Sequence, residues 1–193
     1  MEYGLIGAKL GHSYSKIIHE LLLPQYPYEL HPLPTEAEAR QFLEQRPFQA
    51  INVTIPYKQL VIPYCEAVDE RASAIGAVNT IVNRDGKLYG HNTDFGGFLY
   101  MVKAHGVSLR GKTVLILGTG GTHNTVAAVC RSEGAAEILT VSRRAGEGQL
   151  DYAQAAARTD VQIVVNTTPA GMYPDNGGCL LELGGFDRLE AVF

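Results

Sequence analysis

The run Thr113-Val-Leu-Ile-Leu-Gly-Thr-Gly-Gly-Thr122 constrains this chain more than any other segment. A short apolar run enters a glycine turn, and a helical stretch follows from Thr122 to Glu133, closed by Gly134. A second apolar run, Glu137 to Val141, then ends in Ser142-Arg143-Arg144. That order reads as a strand–helix–strand unit, so the fold class is α/β. Gly118 allows a tight turn after the strand. Gly120 lacks a side chain, so a pyrophosphate can approach the main chain there. The free N–H groups at the helix start, with their positive dipole end, complete a phosphate cradle built from Gly118, Thr119, Gly120, Gly121 and Thr122. Position 123 is histidine where the usual fingerprint has a small residue. This predicts looser helix–strand packing or a shifted loop.

The two arginines refine the ligand. An acid after the second strand accepts a hydrogen bond from a ribose 2′-hydroxyl and repels a 2′-phosphate. Arginine does the reverse, offering planar donors to phosphate. Taken alone, an Arg-Arg pair reads as solvated surface charge. At this position Arg143, and secondarily Arg144, point to NADP rather than NAD.

Bulk properties narrow the class. The 193 residues allow one large domain or two small ones. A net charge of −4 gives no basic footprint for nucleic acid. No apolar run approaches the ~20 residues of a membrane span, and the N-terminus carries no charged leader with a cleavage site. Cys65, Cys130 and Cys179 are odd in number and far apart, which suits a reducing cytoplasm and argues against a disulfide framework or metal site. The oligomeric state is not legible.

The first half alternates strand-like and helix-like pieces. Tyr3 to Ile6 reads as a strand. Ser15 to Leu23 reads as a helix with Ile17, Ile18, Leu21 and Leu22 on one face, stopped before Pro24. Tyr28 to Leu30 is extended, and Thr35 to Arg46 is a helix with Thr35 and Glu38 in capping-box spacing. Ala50 to Val53 is a buried-type strand. Tyr57 to Cys65 has helical spacing but contains Pro63, which predicts a short or bent helix. Asn79 to Asn83 and Lys87 to Tyr89 flank the hairpin signal Asp85-Gly86. Phe95 to Ala104 reads as a helix leading out of this half. The expected domains are 1–100 and 101–193. Beyond the crossover come a helix around Tyr152 to Arg158, a strand at Val161 to Asn166, a loop to Met172, and a strand beginning within Leu189 to Phe193.

Three polar clusters in the first half are hard to explain as core. In Gly11-His-Ser-Tyr-Ser15, Ser13 and Ser15 are placed to donate to an anion at a helix start; one serine alone reads as a cap. Asn52-Val-Thr-Ile-Pro-Tyr-Lys58 puts an amide, the Thr54 hydroxyl and an amine at the carboxyl end of a strand, where open α/β sheets bind ligands. The third cluster is Asn79 with Gly90-His-Asn-Thr-Asp94, in which Asp94 is also placed to cap the next helix.

Together these clusters resemble the shikimate dehydrogenase family, including its quinate/shikimate branch. The resemblance is collinear along the chain. It rests on His12-Ser13-x-Ser15 with His19, Asn52-Val-Thr-x-Pro-x-Lys58, Ala77-Val-Asn79-Thr80, Gly90-x-Asn-Thr-Asp94, Gly118-x-Gly-Gly121 and Asn166-Thr-Thr-Pro-x-Gly171-Met172. It implies an N-terminal α/β substrate domain followed by a Rossmann-like NADP-binding domain. It implies reversible reduction of 3-dehydroshikimate to shikimate by NADPH, with Lys58 and Asp94 as the catalytic pair. By the same resemblance Ser13 and Ser15 hold the substrate carboxylate, and Asn52, Thr54, Asn79 and Asp94 form the rest of the substrate side. Ser142, Arg143 and Arg144 lie at the adenosine end of the cofactor, with Asn166, Thr167 and Met172 near the nicotinamide.

The residue chemistry agrees. Hydride arrival at a ketone carbon builds negative charge on its oxygen, and a protonated Lys58 there stabilises that charge and supplies a proton. In reverse the neutral amine acts as base, which calls for a pKa lowered by partial burial. Asp94, if charged and close, opposes that lowering and orients the amine.

Departures from the family are local, except at the end. Lys16 and Glu20 stand where members often have Pro and Asn, Ser142 replaces Asn, and Thr122 and His123 replace smaller residues. Members continue beyond the strand near Ala191, with an Asp-x-x-Tyr-x-Pro loop, a substrate-touching glutamine and terminal helices. The chain thus reads as C-terminally truncated, its second domain incomplete. Two other readings follow: an impaired or non-catalytic member that still binds shikimate-like ligands, or a quinate/shikimate dehydrogenase. A folate-linked dehydrogenase of similar plan is disfavoured by the serine pair.

Overall fold

The computed structural model describes residues 1–11, 13–174 and 176–193. The chain divides into two compact units, Met1–Asp94 and Phe95–Phe193.

The first unit contains strands β1 (Tyr3–Gly7), β2 (Tyr28–Pro32), β3 (Ala50–Val53), β4 (Ala67–Val68), β5 (Thr80–Arg84) and β6 (Lys87–His91). They form one mixed sheet in the order β2-β1-β3-β5-β6-β4. β1 lies between two parallel neighbours, and β5 runs antiparallel to both β3 and β6. The β5–β6 turn places Asp85 and Gly86 both at positive φ (52° and 80°), the twist that a two-residue hairpin requires. Helix α1 spans Ser15–Leu22, α2 Glu36–Gln45 and α3 Glu70–Ile75. Thr35 caps α2 with the expected reciprocal bonds to Glu38. Its buried Ala39, Phe42 and Leu43 join Leu33, Phe48, Ile51 and Val53 in the core.

Three local features differ from the sequence reading. Helix α1 forms, but it buries none of its residues; Ile17, Ile18, Leu21 and Leu22 are between 52 and 76% exposed. Its opposite side makes the contacts. The His19 ring stacks on Tyr28 at 3.9 Å, and Lys16 Nζ donates to the Tyr28 carbonyl at 2.8 Å. The segment from Tyr57 to Cys65 is a series of turns ending in a 3₁₀ turn, Ile62–Tyr64, because Pro63 lacks an N–H and its ring blocks a longer helix. The sequence reading did not anticipate β4 and α3. A two-residue strand and a six-residue helix are too short to show periodicity, and α3 owes its start to Asp69, whose carboxylate accepts from Ala72 N at 2.7 Å.

The second unit contains α4 (Asp94–Ala104, its first residue shared with the first unit), β7 (Thr113–Leu117), α5 (Gly121–Ser132), β8 (Glu137–Val141), α6 (Tyr152–Ala156), β9 (Ile163–Asn166) and β10 (Ala191–Val192). The four strands are all parallel, in the order β10-β9-β7-β8. The central strand β7 is buried from Val114 to Leu117, as a parallel strand covered on both faces should be. Leu115, Leu117, Val141, Ala155, Val161, Val164, Leu181 and Phe186 form a core. No helix among the described residues is long and apolar enough to cross a membrane.

Candidate functional site

The expected site residues fall into two groups, one in each unit. In the first, β3 ends at Val53 and the following turns present Thr54 and Lys58. Thr54 packs its methyl over Gly7, where an added Cβ would lie 2.5 Å from it. Lys58 is anchored by its carbonyl, which accepts from Val78 N at 2.8 Å. Its Nζ lies 2.6 Å from Asp94 Oδ2, with the two side chains 28 and 43% exposed. Asp94 does not spend its carboxylate on starting α4. The buried Asn92 side chain takes the Asp94 N–H at 2.9 Å and donates to the Ala77 carbonyl at 2.9 Å. An ammonium and a carboxylate are thereby presented together, half in solvent, by a rigid backbone.

Beside this pair runs a connected set of polar side chains. Asn79, buried at the start of β5, accepts at Oδ1 from Thr93 N (2.9 Å) and Thr80 Oγ1 (3.1 Å), and donates to Thr93 Oγ1 (3.0 Å). Asn52 on β3 donates to Thr80 Oγ1 at 3.1 Å and accepts from the Tyr28 phenol at 2.7 Å. Burial pushes the ionisation of the Tyr28 phenol up to about 12, so the phenol is neutral. At the start of α1, Ser15 N donates to Ser13 Oγ at 3.2 Å. Asn52 and Asn79 are thus links of one network with Tyr28, Thr80 and Thr93. His12 lies outside the described residues. Tyr28, Thr80, Asn92 and Thr93 were missed as contributors. The last three sit inside polar motifs visible in the sequence, whereas Tyr28 reads as an ordinary strand aromatic.

In the second unit an open cleft of about 1230 Å³ lies at the carboxyl ends of the parallel strands. Of the residues expected to hold a cofactor, Gly118, Thr119, Gly120, Ser142, Arg143, Arg144 and Thr167 line it. Gly121, Thr122, Asn166 and Met172 do not. Asn166 instead shapes the wall: its Oδ1 accepts from Thr168 N and Oγ1, and its Nδ2 donates to the Ala170 carbonyl. Met172 is exposed. Gln149, Tyr152 and Leu180 are lining residues that no motif signalled; Thr168, also lining, sits inside the Asn166–Met172 motif.

The glycines at this cleft differ in kind. Gly118 has φ of 102°, and an added Cβ would lie 2.7 Å from Thr168 Cγ2, so both backbone and packing require glycine. Gly120 and Gly121 face open space. Helix α5 starts at Gly120 without a side-chain cap, and no acid stands in its first turn. Arg143 and Arg144 are exposed, and among the described residues neither guanidinium has a side-chain partner. Free N–H groups and two unpaired cations around one cleft fit the phosphates of a dinucleotide.

His123 does not loosen the helix as its size suggested. Its Nε2 lies 2.9 Å from Thr140 Oγ1 on β8 and its Nδ1 3.2 Å from Asn124 Oδ1. The ring replaces close van der Waals contact by a polar bridge, and α5 still buries Val126, Ala127, Val129 and Cys130. Among the described residues no group of three His, Cys, Asp or Glu side chains is placed to hold a metal ion.

Residues 5–81 match the family model of the shikimate dehydrogenase substrate binding domain. A shikimate dehydrogenase (NADP(+)) of Oleidesulfovibrio alaskensis is 38% identical over 188 residues, covering 90% of this chain and 67% of the relative. Among solved structures, a chorismate mutase/shikimate 5-dehydrogenase fusion protein from Clostridium acetobutylicum superposes with a TM-score of 0.87 at 30% identity. It covers 98% of this chain and 74% of that one. Shikimate 5-dehydrogenase from Thermus thermophilus, in complex with NADP(H) and shikimate, gives 0.84 at 28% identity, over 100% of this chain and 77% of that one. The likeness runs through both units and reaches relatives that are themselves named for one enzyme, so this chain belongs to the shikimate dehydrogenase family.

Proposed function

We propose that this protein catalyses the reversible, NADPH-dependent reduction of 3-dehydroshikimate to shikimate. The first unit serves as the substrate side and the second as the cofactor side. The observation that carries this reading is the Lys58–Asp94 pair at 2.6 Å, half-exposed beside a network of hydroxyls and carboxamides. The NADP(+)-dependent relatives and the unpaired Arg143 and Arg144 support the choice of cofactor. The three free cysteines support a reducing, cytoplasmic setting.

NADPH, when bound, supplies the hydride to the ketone carbon. Lys58 carries the balancing proton: its ammonium donates to the oxygen as negative charge builds there, and the ketone becomes the shikimate hydroxyl. Asp94 holds the amine in place, and its second oxygen remains for a ring hydroxyl. Ser13 and Ser15 take the carboxylate, with Asn52, Thr54 and Asn79 towards the ring. On the cofactor side, Gly118, Thr119 and Gly120 receive the pyrophosphate, Ser142 to Arg144 the 2′-phosphate, and Thr167 the nicotinamide end, with Asn166 shaping the wall behind it.

The test is a steady-state assay of the purified chain with shikimate or quinate against NADP or NAD. The expected result is shikimate-dependent reduction of NADP, with lower kcat/KM for quinate and for NAD. Absence of turnover, with calorimetry detecting shikimate but not NADPH binding, would replace the enzyme by a binding module. Preference for quinate and NAD would reassign the branch.

A further inference from the structure

We propose that Tyr28 is a positioning residue of the substrate side: its phenol sets the orientation of the Asn52 carboxamide. This rests on the function proposed above. Tyr28 is 1% exposed, and its ring stacks on His19 at 3.9 Å with 13° between the planes. Phenylalanine satisfies all of that packing, so the hydroxyl needs a separate reason. It lies 2.7 Å from Asn52 Oδ1. A carboxamide oxygen only accepts, so the phenolic proton belongs to Asn52.

The orientation propagates. With its oxygen held by Tyr28, Asn52 must turn its NH₂ towards Thr80 Oγ1, 3.1 Å away. Thr80 then donates to Asn79 Oδ1 at 3.1 Å, and Asn79 turns its own NH₂ to Thr93 Oγ1 at 3.0 Å. Four donors thus point in one sense from Tyr28 on β2 through Asn52 on β3, Thr80 on β5 and Asn79 to the residue before Asp94. Tyr28 heads the series. Without the phenol, Asn52 is free to exchange its oxygen and nitrogen. The Lys58–Asp94 pair lies outside this series, so substrate binding should suffer and proton transfer should not.

The experiment compares wild type, Tyr28→Phe, Asn52→Ala and the double variant, by steady-state kinetics and by calorimetry with shikimate. Tyr28→Phe should raise the KM and Kd for shikimate by roughly tenfold, with kcat within about twofold and the KM for NADPH unchanged. In the Asn52→Ala background the same change should have less than half that effect on a logarithmic scale. An unchanged shikimate KM and Kd with a lowered melting temperature would overturn the proposal, as would a Tyr28→Phe chain that fails to fold, or full additivity. A wild type that binds shikimate without reducing NADP would overturn the enzymatic reading, and the Kd of Tyr28→Phe would then decide the role of Tyr28. A wild type that binds no shikimate would overturn both.

Discussion

The two units treat polar groups in opposite ways. In the first, hydrogen-bonding side chains find partners within the protein: Asn79, Asn92, Asn52 and Tyr28 are each held by at least one bond, and Lys58 is paired with Asp94. In the second, the groups around the cleft are left open: α5 lacks a side-chain cap, and among the described residues Arg143 and Arg144 have no ion-pair partner, although α6 in the same unit has a full capping box at Asp151. The difference teaches what each side must do. A site that orients a small ring of hydroxyls needs directions fixed in advance, because a misdirected amide in a half-buried site costs about as much as a good bond contributes. A site that receives phosphates needs unspent donors, which the ligand itself completes.

The largest effect should come from breaking the paired side at its reactive member. Lys58→Ala is expected to lower turnover by ~10²–10⁴ while the KM for shikimate changes little. Near-normal turnover in the steady-state assay would remove Lys58 from the chemistry. On the open side, Arg143→Ala should raise the KM for NADPH about tenfold to a hundredfold, the worth of a hydrogen bond to a charged group, and leave that for NADH almost unchanged. Equal changes for the two cofactors would mean that the guanidinium does not meet the 2′-phosphate.

The two glycines sharpen the contrast within the cleft. Gly120→Ser should be neutral or slightly stabilising in a thermal melt, since a Cβ there meets nothing and serine caps α5 as well as glycine or better. It should nonetheless weaken NADPH binding by filling the approach. Gly118→Ala should lower stability by about 1–3 kcal/mol, because φ is positive and the new methyl strikes Thr168. Similar melting temperatures for the two variants would erase the distinction between a glycine kept for the ligand and one kept for the fold.

The smallest effect concerns a cation of the second unit that is fully partnered. Arg158 bonds Asp160 and Glu137, and its guanidinium holds the Asp160 carboxyl well down, to about 2 from an ordinary 3.8. A depressed carboxyl stabilises the fold above its unfolded value and loses that contribution as pH falls through the folded one. Stability should therefore decline between about pH 4 and pH 2, modestly, because the pair is solvent-screened. Asp160→Asn should flatten that part of an acid denaturation curve without altering the KM for NADPH. A change in the latter would show that paired and unpaired arginines are not separable here.

How far the sequence reaches follows from the range of the forces involved. The Thr35–Glu38 capping box, the Asp85-Gly86 hairpin and the β7–α5–β8 crossover involve neighbours in the chain, so local spacing declares them. The same holds for the glycine turn after β7; Lys58 and Asp94 were singled out through the family resemblance, and the structure brings them together at 2.6 Å. Helix α1 shows the limit. Its apolar spacing announced a helix and a face, but which face meets the sheet was decided by His19 and Lys16 reaching Tyr28. His123 shows it again, since its size predicted poor packing until Thr140, distant in sequence, supplied a partner.

Chain-local chemistry thus determined the longer elements and the glycine turn after β7, because propensity, capping and turn strain act over a few residues. Tertiary structure alone decided that Tyr28 bonds Asn52, that Asn166 builds a wall rather than lining it, and that Asn92 frees Asp94 for Lys58. Hydrogen-bond partners with definite direction exist only once strands far apart in the sequence lie side by side.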